Sequence, residues 1–201
     1  MVAVTGHRVL NDADRVAAGV DGALDEIARA YPGRSIQLVS SLAEGADRLV
    51  SRKVLAQPGG RLIAALPLAA DDYAKDFQTE ESRREFKDLL EAAAQVVTLP
   101  PQPTREAAYE AAGLYGLDHA AVVVAIWDGQ SARGRGGTPE IVTHARERQL
   151  PLAWVHAGSG RLHSREAASA AGAQSQVTLE NWPTSIGTAA SGEPYSRWSS
   201  S

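Results

Sequence analysis

The chain of 201 residues contains no cysteine, which excludes disulfides, thiolate nucleophiles, Cys-ligated zinc and iron–sulfur clusters. Aromatic residues are sparse at 5%. No apolar run approaches the ~20 residues that a bilayer-spanning helix needs. An excess of positive charge is missing too: 20 Lys and Arg against 24 Asp and Glu leave a net charge of −4. Duplex DNA and membrane surfaces call for a net basic face, so neither is expected as a partner, although a local basic pocket is compatible with this balance. His7, His119, His144, His156 and His163 fall in no HExxH-type spacing, and neither a metal site nor a cofactor is expected. The opening "MVAVTG" leaves no room for a signal peptide, which makes a cytoplasmic protein the expectation.

What is present is an ordinary globular composition, 44% apolar and 22% charged, in a length that suits one full-sized domain. Short, β-branched, nearly continuous apolar runs occupy 2–5, 36–40, 61–67, 95–100, 120–127 and 150–156. Continuous rather than alternating apolarity marks strands buried on both faces, as in a parallel sheet. Segments with helical spacing lie between them. Residues 12–30 carry Val16, Val20, Leu24 and Ile27 on one stripe. Residues 44–56 follow Ser41-Leu42-Ala43-Glu44, a capping-box pattern in which Glu44 partners Ser41. Residues 79–93 and 104–118 begin at Thr79 and Thr104, both suited to N-caps, and residues 139–148 make the last helix. This alternation predicts an α/β chain folded as a three-layer α/β/α Rossmann-like sandwich with a mainly parallel sheet and right-handed crossovers. Strand order does not follow from the pattern. "DDYAKDFQTEESRREF" (71–86) reads as a solvated helical face with a flexible lead-in. The domain spans 1–156. Residues 157–201 turn to Ser, Ala, Gly and isolated charges, and read as a low-complexity extension, partly disordered or laid over the surface, with Trp182 and Trp198 as pins or subunit contacts.

Ligands of a parallel α/β sheet collect where strand carboxyl ends lead into helix N-termini. Those ends carry "TGHR" (5–8), "SSLAEGADR" (40–48), "PLAADDY" (67–73) and "WDGQSARGRGGTPEIVTHAR" (127–146). Three of the four combine glycine with hydroxyl or cationic groups. Glycine lets backbone approach an anion, and unpaired helix N–H groups are fixed donors. Thr5, Ser40, Ser41 and Thr138 offer hydroxyls as donors, and Arg8, Arg133 and Arg135 offer charge to a phosphate. Neither GxxxxGK[ST] nor GxGxxG after the first strand occurs, which argues against a P-loop ATPase or an ordinary NAD dehydrogenase.

Taken together, "VAVTGHR", "SSLAEGADRLV" and "WDGQSARGRGGTPEIV" resemble the SLOG superfamily, which includes the Lonely-Guy cytokinin-activating phosphoribohydrolases and the Rossmann domain of the DNA-processing protein A group. The resemblance covers about residues 1–156. Its most specific piece, Gly134-Arg135-Gly136-Gly137-Thr138-Pro139-Glu140, is similar to the PGGxGTxxE phosphate and ribose motif of the hydrolases. It is closer still to "WDG…GxGGT" members, proposed nucleotide-ligand sensors. Arg133 replaces the proline that opens the hydrolase motif, Arg135 its second glycine and Ile141 its acid. Glu140 is one position early, a rotation of about 100° on a helix.

Several of these residues have a plain reading beside the functional one. Thr138-Pro139-Glu140 is a good helix start without any ligand: an N-cap, proline at N1 and an acid in the first turn. Gly45 suits close approach to a ligand or to a strand. Asp47 suits catalysis or a solvated first turn. His7 suits a phosphate, a base or an exposed loop, and His144 pairs with Glu140 four residues before it. Asp128 can bind a ribose hydroxyl or start the turn Asp128-Gly129. Trp127 and Tyr73 can stack on a base, with core packing the commoner fate of a tryptophan at a strand end.

Three functions follow. The first is binding of a nucleotide-like small molecule by a sensor domain, the phosphate lying over Gly134, Arg135, Gly136, Gly137 and Thr138, with Thr5, Gly6 and Arg8 closing from one side and Ser40, Ser41 and Gly45 from the other. The second is an N-glycosidase that cleaves nucleoside monophosphates to base and ribose 5-phosphate, with Glu140 as first candidate carboxylate and Asp47 or Asp128 behind it. The third, single-stranded DNA binding, rests on the likeness of "SSLAEGADRLV" to the "SGxAxGID" run of the DNA-processing group; the net charge and the lack of a basic, aromatic-interleaved track stand against it. A homodimer through 104–118, with Tyr109 and Tyr115, is expected by fold analogy alone.

Overall fold

The computed structural model describes residues 1–130, 137–158 and 176–183. Seven strands form one sheet in the order β4-β3-β2-β1-β5-β6-β7. They are β1 Val2–Gly6, β2 Gln37–Ser40, β3 Arg61–Leu66, β4 Gln95–Thr98, β5 Val122–Trp127, β6 Leu152–His156 and β7 Val177–Glu180. All pairings are parallel except β6–β7. Helices α1 (Ala13–Ala30) and α2 (Ala46–Leu55), with α4 (Glu80–Ala92) against α2, cover one face, and α5 (Arg105–His119) and α6 (Thr138–Glu147) cover the other. The three-layer sandwich with a mainly parallel sheet is the architecture the strand–helix alternation predicts.

β5 shows why its run is continuously apolar. Val122, Val124 and Ile126 enter the core under α1, α2 and α4, whereas Val123, Ala125 and Trp127 enter the core under α5 and α6. With side chains alternating across the pleat, a strand covered on both faces has no polar position to spare. The α1 stripe is buried as the period requires, Val16, Val20, Leu24 and Ile27 all being at most 4% exposed. Thr79 and Thr104 cap as their positions suggest, accepting from Ser82 N (3.1 Å) and Ala107 N (3.2 Å).

Three local expectations need correction. The capping box at Ser41 does not form: the N-cap of α2 is Gly45, the Ser41 hydroxyl turns to Asp47, and Glu44 accepts from Ser82 instead. Residues 71–77 are no flexible lead-in. They form α3 (Ala70–Tyr73) and a 3-10 turn (Ala74–Asp76), held because Tyr73 and Phe77 pack edge to face and both meet Phe86 of α4. The third correction is at α6. Its cap is Gly137 rather than Thr138, and no side chain of the cap closes the helix start. Within the extension, β7 adds antiparallel to β6 and Trp182 packs on the core; no apolar period announces a strand only four residues long.

From β1 the chain steps outward through β2 and β3 to β4, then crosses back to β5 on the other side of β1. The carboxyl ends of β1 and β5 therefore form the topological switch point, where two loops diverge and leave a crevice.

Candidate functional site

The ends of β3, β2, β1 and β5 open onto a cleft of about 560 Å³. Three gaps between neighbouring strands make it ~14 Å from the β3 end to the β5 end. The β1 end lends Thr5, Gly6, His7 and Arg8, and the β2–α2 loop lends Ser40, Ser41, Ala43 and Asp47. Pro67 and Tyr73 close the β3 side. Trp127, Asp128 and Gln130 follow β5, and Gly137, Thr138 and Pro139 bring in the start of α6. Tyr109, Ala112, Gly113 and Gly116 of α5 make one wall.

Gly6 and Gly45 are both required by packing. A Cβ on Gly6 would lie 2.4 Å from Ala46 Cβ and 2.8 Å from Ile126 O. One on Gly45, at φ 76, would lie 2.4 Å from His7 O and Arg8 O. The start of α2 thus meshes with the β1 loop, and Ala46 N donates to His7 O at 3.0 Å. Gly6 lines the cleft; Gly45 is not among its lining residues and packs on the carbonyls of the β1 loop.

Asp47 is buried at 5% exposure yet borders the cleft. One oxygen, Oδ2, accepts from Ser41 Oγ (2.8 Å), Ser41 N (3.1 Å) and Ser40 Oγ (3.1 Å). Ser40 Oγ in turn accepts from Leu42 N at 3.1 Å. These bonds hold Leu42 at φ 60, a conformation that a branched side chain adopts only when its surroundings impose it. Burial raises the Asp47 pKa; the two hydroxyls and the backbone N–H groups pull the other way. Next to it Arg48, 1% exposed, donates from Nε to Leu42 O and from Nη1 to Ser82 and Glu85, with its guanidinium 4.3 Å above the Phe77 ring. Tyr73 is hydrogen-bonded to Ser41, and burial raises its pKa.

At the switch point His7 Nε2 lies 3.2 Å from both Asp128 Oδ1 and Asp128 N. Asp128 Oδ1 also accepts from Gln130 N, forming the expected turn with Gly129 at φ 81. Trp127 is core and cleft wall at once: 7% exposed, its indole N–H donates to Gln130 O at 2.9 Å. Arg8 is exposed at the mouth with its guanidinium 5.0 Å from the centre of the Tyr109 ring. The Tyr109 hydroxyl donates to Asp76, which also pairs with Arg105. At the start of α6, Glu140 N and Ile141 N both bond to Gly137 O.

The cleft therefore gathers Thr5, Gly6, His7, Arg8, Ser40, Ser41, Asp47, Asp128, Gly137 and Thr138 from segments far apart in sequence. Arg133, Gly134, Arg135 and Gly136 lie outside the described residues. Glu140 is not among the lining residues; its carboxylate groups with the Glu110 carboxylate and the His144 imidazole, the three ligand atoms lying within 4.8 Å of one another. Glu110 and Glu140 each have partners already, and His144 Nδ1 bonds Glu147 at 3.1 Å. Tyr109 lines the cleft. Pro67 belongs to the 67–73 loop expected at a strand end, whereas the α5 wall was not expected. Its one signal was Ala112, Gly113 and Gly116, small residues one turn apart that let a helix lie close to its neighbours: a Cβ on Gly113 would strike Ile141 Cδ1 of α6 at 2.5 Å, and one on Gly116 would meet Ala3 Cβ of β1 at 3.4 Å.

Among the described residues no helix is long and apolar enough to cross a membrane. No protein-family model and no curated protein matches the chain.

Proposed function

We propose that this chain binds a nucleotide or nucleotide derivative in the switch-point cleft, as a ligand-sensing domain of the SLOG type. The observation that carries the reading is the start of α6: the helix begins on Gly137 without a side-chain cap and opens on the cleft beside Thr138. Pro139 has no N–H, and Glu140 N and Ile141 N return to Gly137 O, so the positive end of the helix dipole and the Thr138 hydroxyl are what favour a phosphate there. The ~14 Å between the β3 and β5 ends leaves room for a sugar and base beyond the phosphate. The likeness of the three loop segments to SLOG members supports the same placement.

A thermal-shift panel of nucleoside mono-, di- and cyclic phosphates tests the proposal. At ligand 100-fold above Kd, a true ligand adds about 2.7 kcal/mol of stability. Thr138→Asp places a carboxylate at the helix start, where it suits the dipole but repels phosphate; it should keep the fold and lose the response. A panel with no stabiliser, or a variant that responds as the parent does, rejects the proposal.

The buried Asp47 in the cleft favours a second reading, the N-glycosidase, in which a carboxylate stabilises an oxocarbenium-like centre during attack by water. Release of free base from nucleoside monophosphates, abolished in Asp47→Asn, is its test. Glu140, outside the cleft wall, is the weaker candidate for that role.

A further inference from the structure

Among the described residues, Tyr73, Tyr109 and Trp127 bring large aromatic rings to the cleft, and they differ in what covers those rings. Tyr73 is 1% exposed, packed edge to face against Phe77 and Phe86, with its hydroxyl bonded to Ser41. Trp127 is 7% exposed and lies obliquely against Trp154. Tyr109 is half-buried, and over its ring stands the guanidinium of Arg8, a side chain exposed at the mouth. The Tyr109 ring is itself well held. Its hydroxyl donates to Asp76, whose other oxygen accepts from Arg105, and its centre lies 6.3 Å from that of Tyr73. Asp76 and Tyr73 both belong to the segment after β3, so this ring stands toward the β3 end of the cleft, whereas α6 packs on β1 and β5. A phosphate at the start of α6 and a base on Tyr109 would thus occupy different ends, as the two ends of a nucleotide require.

Resting on the nucleotide reading above, we propose that Tyr109 is the stacking platform for the base, which takes the place on its ring that Arg8 holds in the empty cleft. A guanidinium is planar and stacks on aromatic faces much as a base does, so the two compete for one surface. Magnitudes decide between them. An exposed cation over an aromatic ring contributes about two- to fivefold to an equilibrium, whereas a stacked base contributes roughly 5- to 150-fold. The base therefore displaces the guanidinium, and Arg8 keeps its charge at the mouth, where it offsets that of the phosphate. Every base has a π-face, so this platform favours an aromatic ring as such, purine or pyrimidine, over a sugar phosphate that lacks one.

The test is calorimetric titration of the full chain with AMP, UMP and ribose 5-phosphate, the last carrying the same sugar and phosphate without a base. AMP and UMP should each bind at least about five times more tightly than ribose 5-phosphate. Tyr109→Leu removes the flat ring and should bring both nucleotides to within about threefold of ribose 5-phosphate. Tyr109→Phe keeps the ring and should leave both within about threefold of the parent. Both variants lose the hydroxyl bond to Asp76, so the difference between them reports the ring alone. Nucleotides no tighter than ribose 5-phosphate, a preference unchanged in Tyr109→Leu, or an equal loss in Tyr109→Phe overturns this inference and leaves the nucleotide reading standing. Failure of all three to bind the parent overturns both.

Discussion

Ser41 Oγ donates to Asp47 Oδ2 at 2.8 Å across the β2–α2 loop, on the same oxygen that takes Ser40. One buried carboxylate thus fixes the shape of a loop that contains a leucine in a left-handed conformation. Removing it in Asp47→Ala strands the Ser40 hydroxyl, which is 2% exposed, at a cost of about 1–3 kcal/mol. Asp47→Asn keeps an acceptor of the same shape and should cost less. Urea unfolding checks the order, with the midpoint falling further for Ala at unchanged slope; equal midpoints would show that the carboxylate does not hold the loop.

The same residue carries a pH signature. Burial raises its pKa above the ordinary 3.8, so the native chain holds this proton more tightly than the unfolded chain does. Its contribution to stability is therefore fully favourable below about 3.8 and declines as pH rises through the folded pKa. Subtracting the Asp47→Asn stability profile from that of the parent should leave a curve that falls with pH in this window. A curve that rises would mean that Ser40, Ser41 and the backbone donors outweigh burial.

Gly33 and Gly45 have nearly the same φ, 75 and 76, in different surroundings. An added Cβ meets nothing within 4 Å at Gly33 but lies 2.4 Å from two carbonyl oxygens at Gly45. Gly33→Ala should cost only the intrinsic penalty of the conformation, about 1–2 kcal/mol. Gly45→Ala must push the β1 loop off α2 and should exceed it by about 2 kcal/mol or more, the range of an overpacked core. Chemical denaturation of the two variants decides; similar losses would remove the argument that Gly45 exists for packing.

These contrasts show where the sequence was readable and where it was not. Continuous apolar runs marked six strands and the two-sided core, and Thr79 and Thr104 marked caps that depend only on the next three residues; but β4, at the sheet edge, is largely exposed rather than buried on both faces, with Val96 at 47%. The capping box failed because its outcome depends on remote groups: Glu44 goes to Ser82, 38 residues away, and Ser41 goes to a buried aspartate. Short-range patterns cannot register such competition. At the cleft, the Ser40 and Ser41 hydroxyls both turn to Asp47, a partner that short-range pattern does not place. Similarly, the charge-rich run at 71–86 hid Tyr73, Phe77 and Phe86, three aromatics that pack only because α3 and α4 fold onto one another.

Arg48 and Arg52 both approach Glu85, one buried and one about half exposed. The Arg48 side chain also holds Leu42 O and Ser82, and stands over Phe77. Its replacement by Met leaves those acceptors without a donor and should cost about 3 kcal/mol, the lower end for breaking a buried pair, because Glu85 can still reach water. Arg52→Met should change stability by less than about 1 kcal/mol. If the two substitutions prove equivalent in urea melts, the buried bonds of Arg48 contribute nothing beyond a surface ion pair.

The β6–β7 edge should open on acidification, in two stages. His156 Nε2 bonds Thr178 Oγ1 at 2.7 Å while its ring stacks on Trp154, and burial lowers its pKa. Above the ordinary value of 6.5, native and unfolded imidazoles are both neutral and the contact is intact. As pH falls from there toward the folded pKa, the unfolded chain takes up a proton that the native chain resists, and stability is lost. Glu180 titrates later. Its two hydrogen bonds from Arg146, 2.8 and 2.7 Å, lower its pKa, so its stabilisation is present above about 4.5 and disappears as pH falls through the folded value. Both side chains are partly exposed, which limits the ion pair to roughly 0.2–1 kcal/mol. Hydrogen exchange at the amides of 177–180, corrected for the intrinsic pH dependence, should accelerate first below 6.5 and again below 4.5. Glu180→Gln should erase the second step alone, and His156→Phe the first. Persistence of both steps in either variant would place the acid sensitivity of this edge elsewhere.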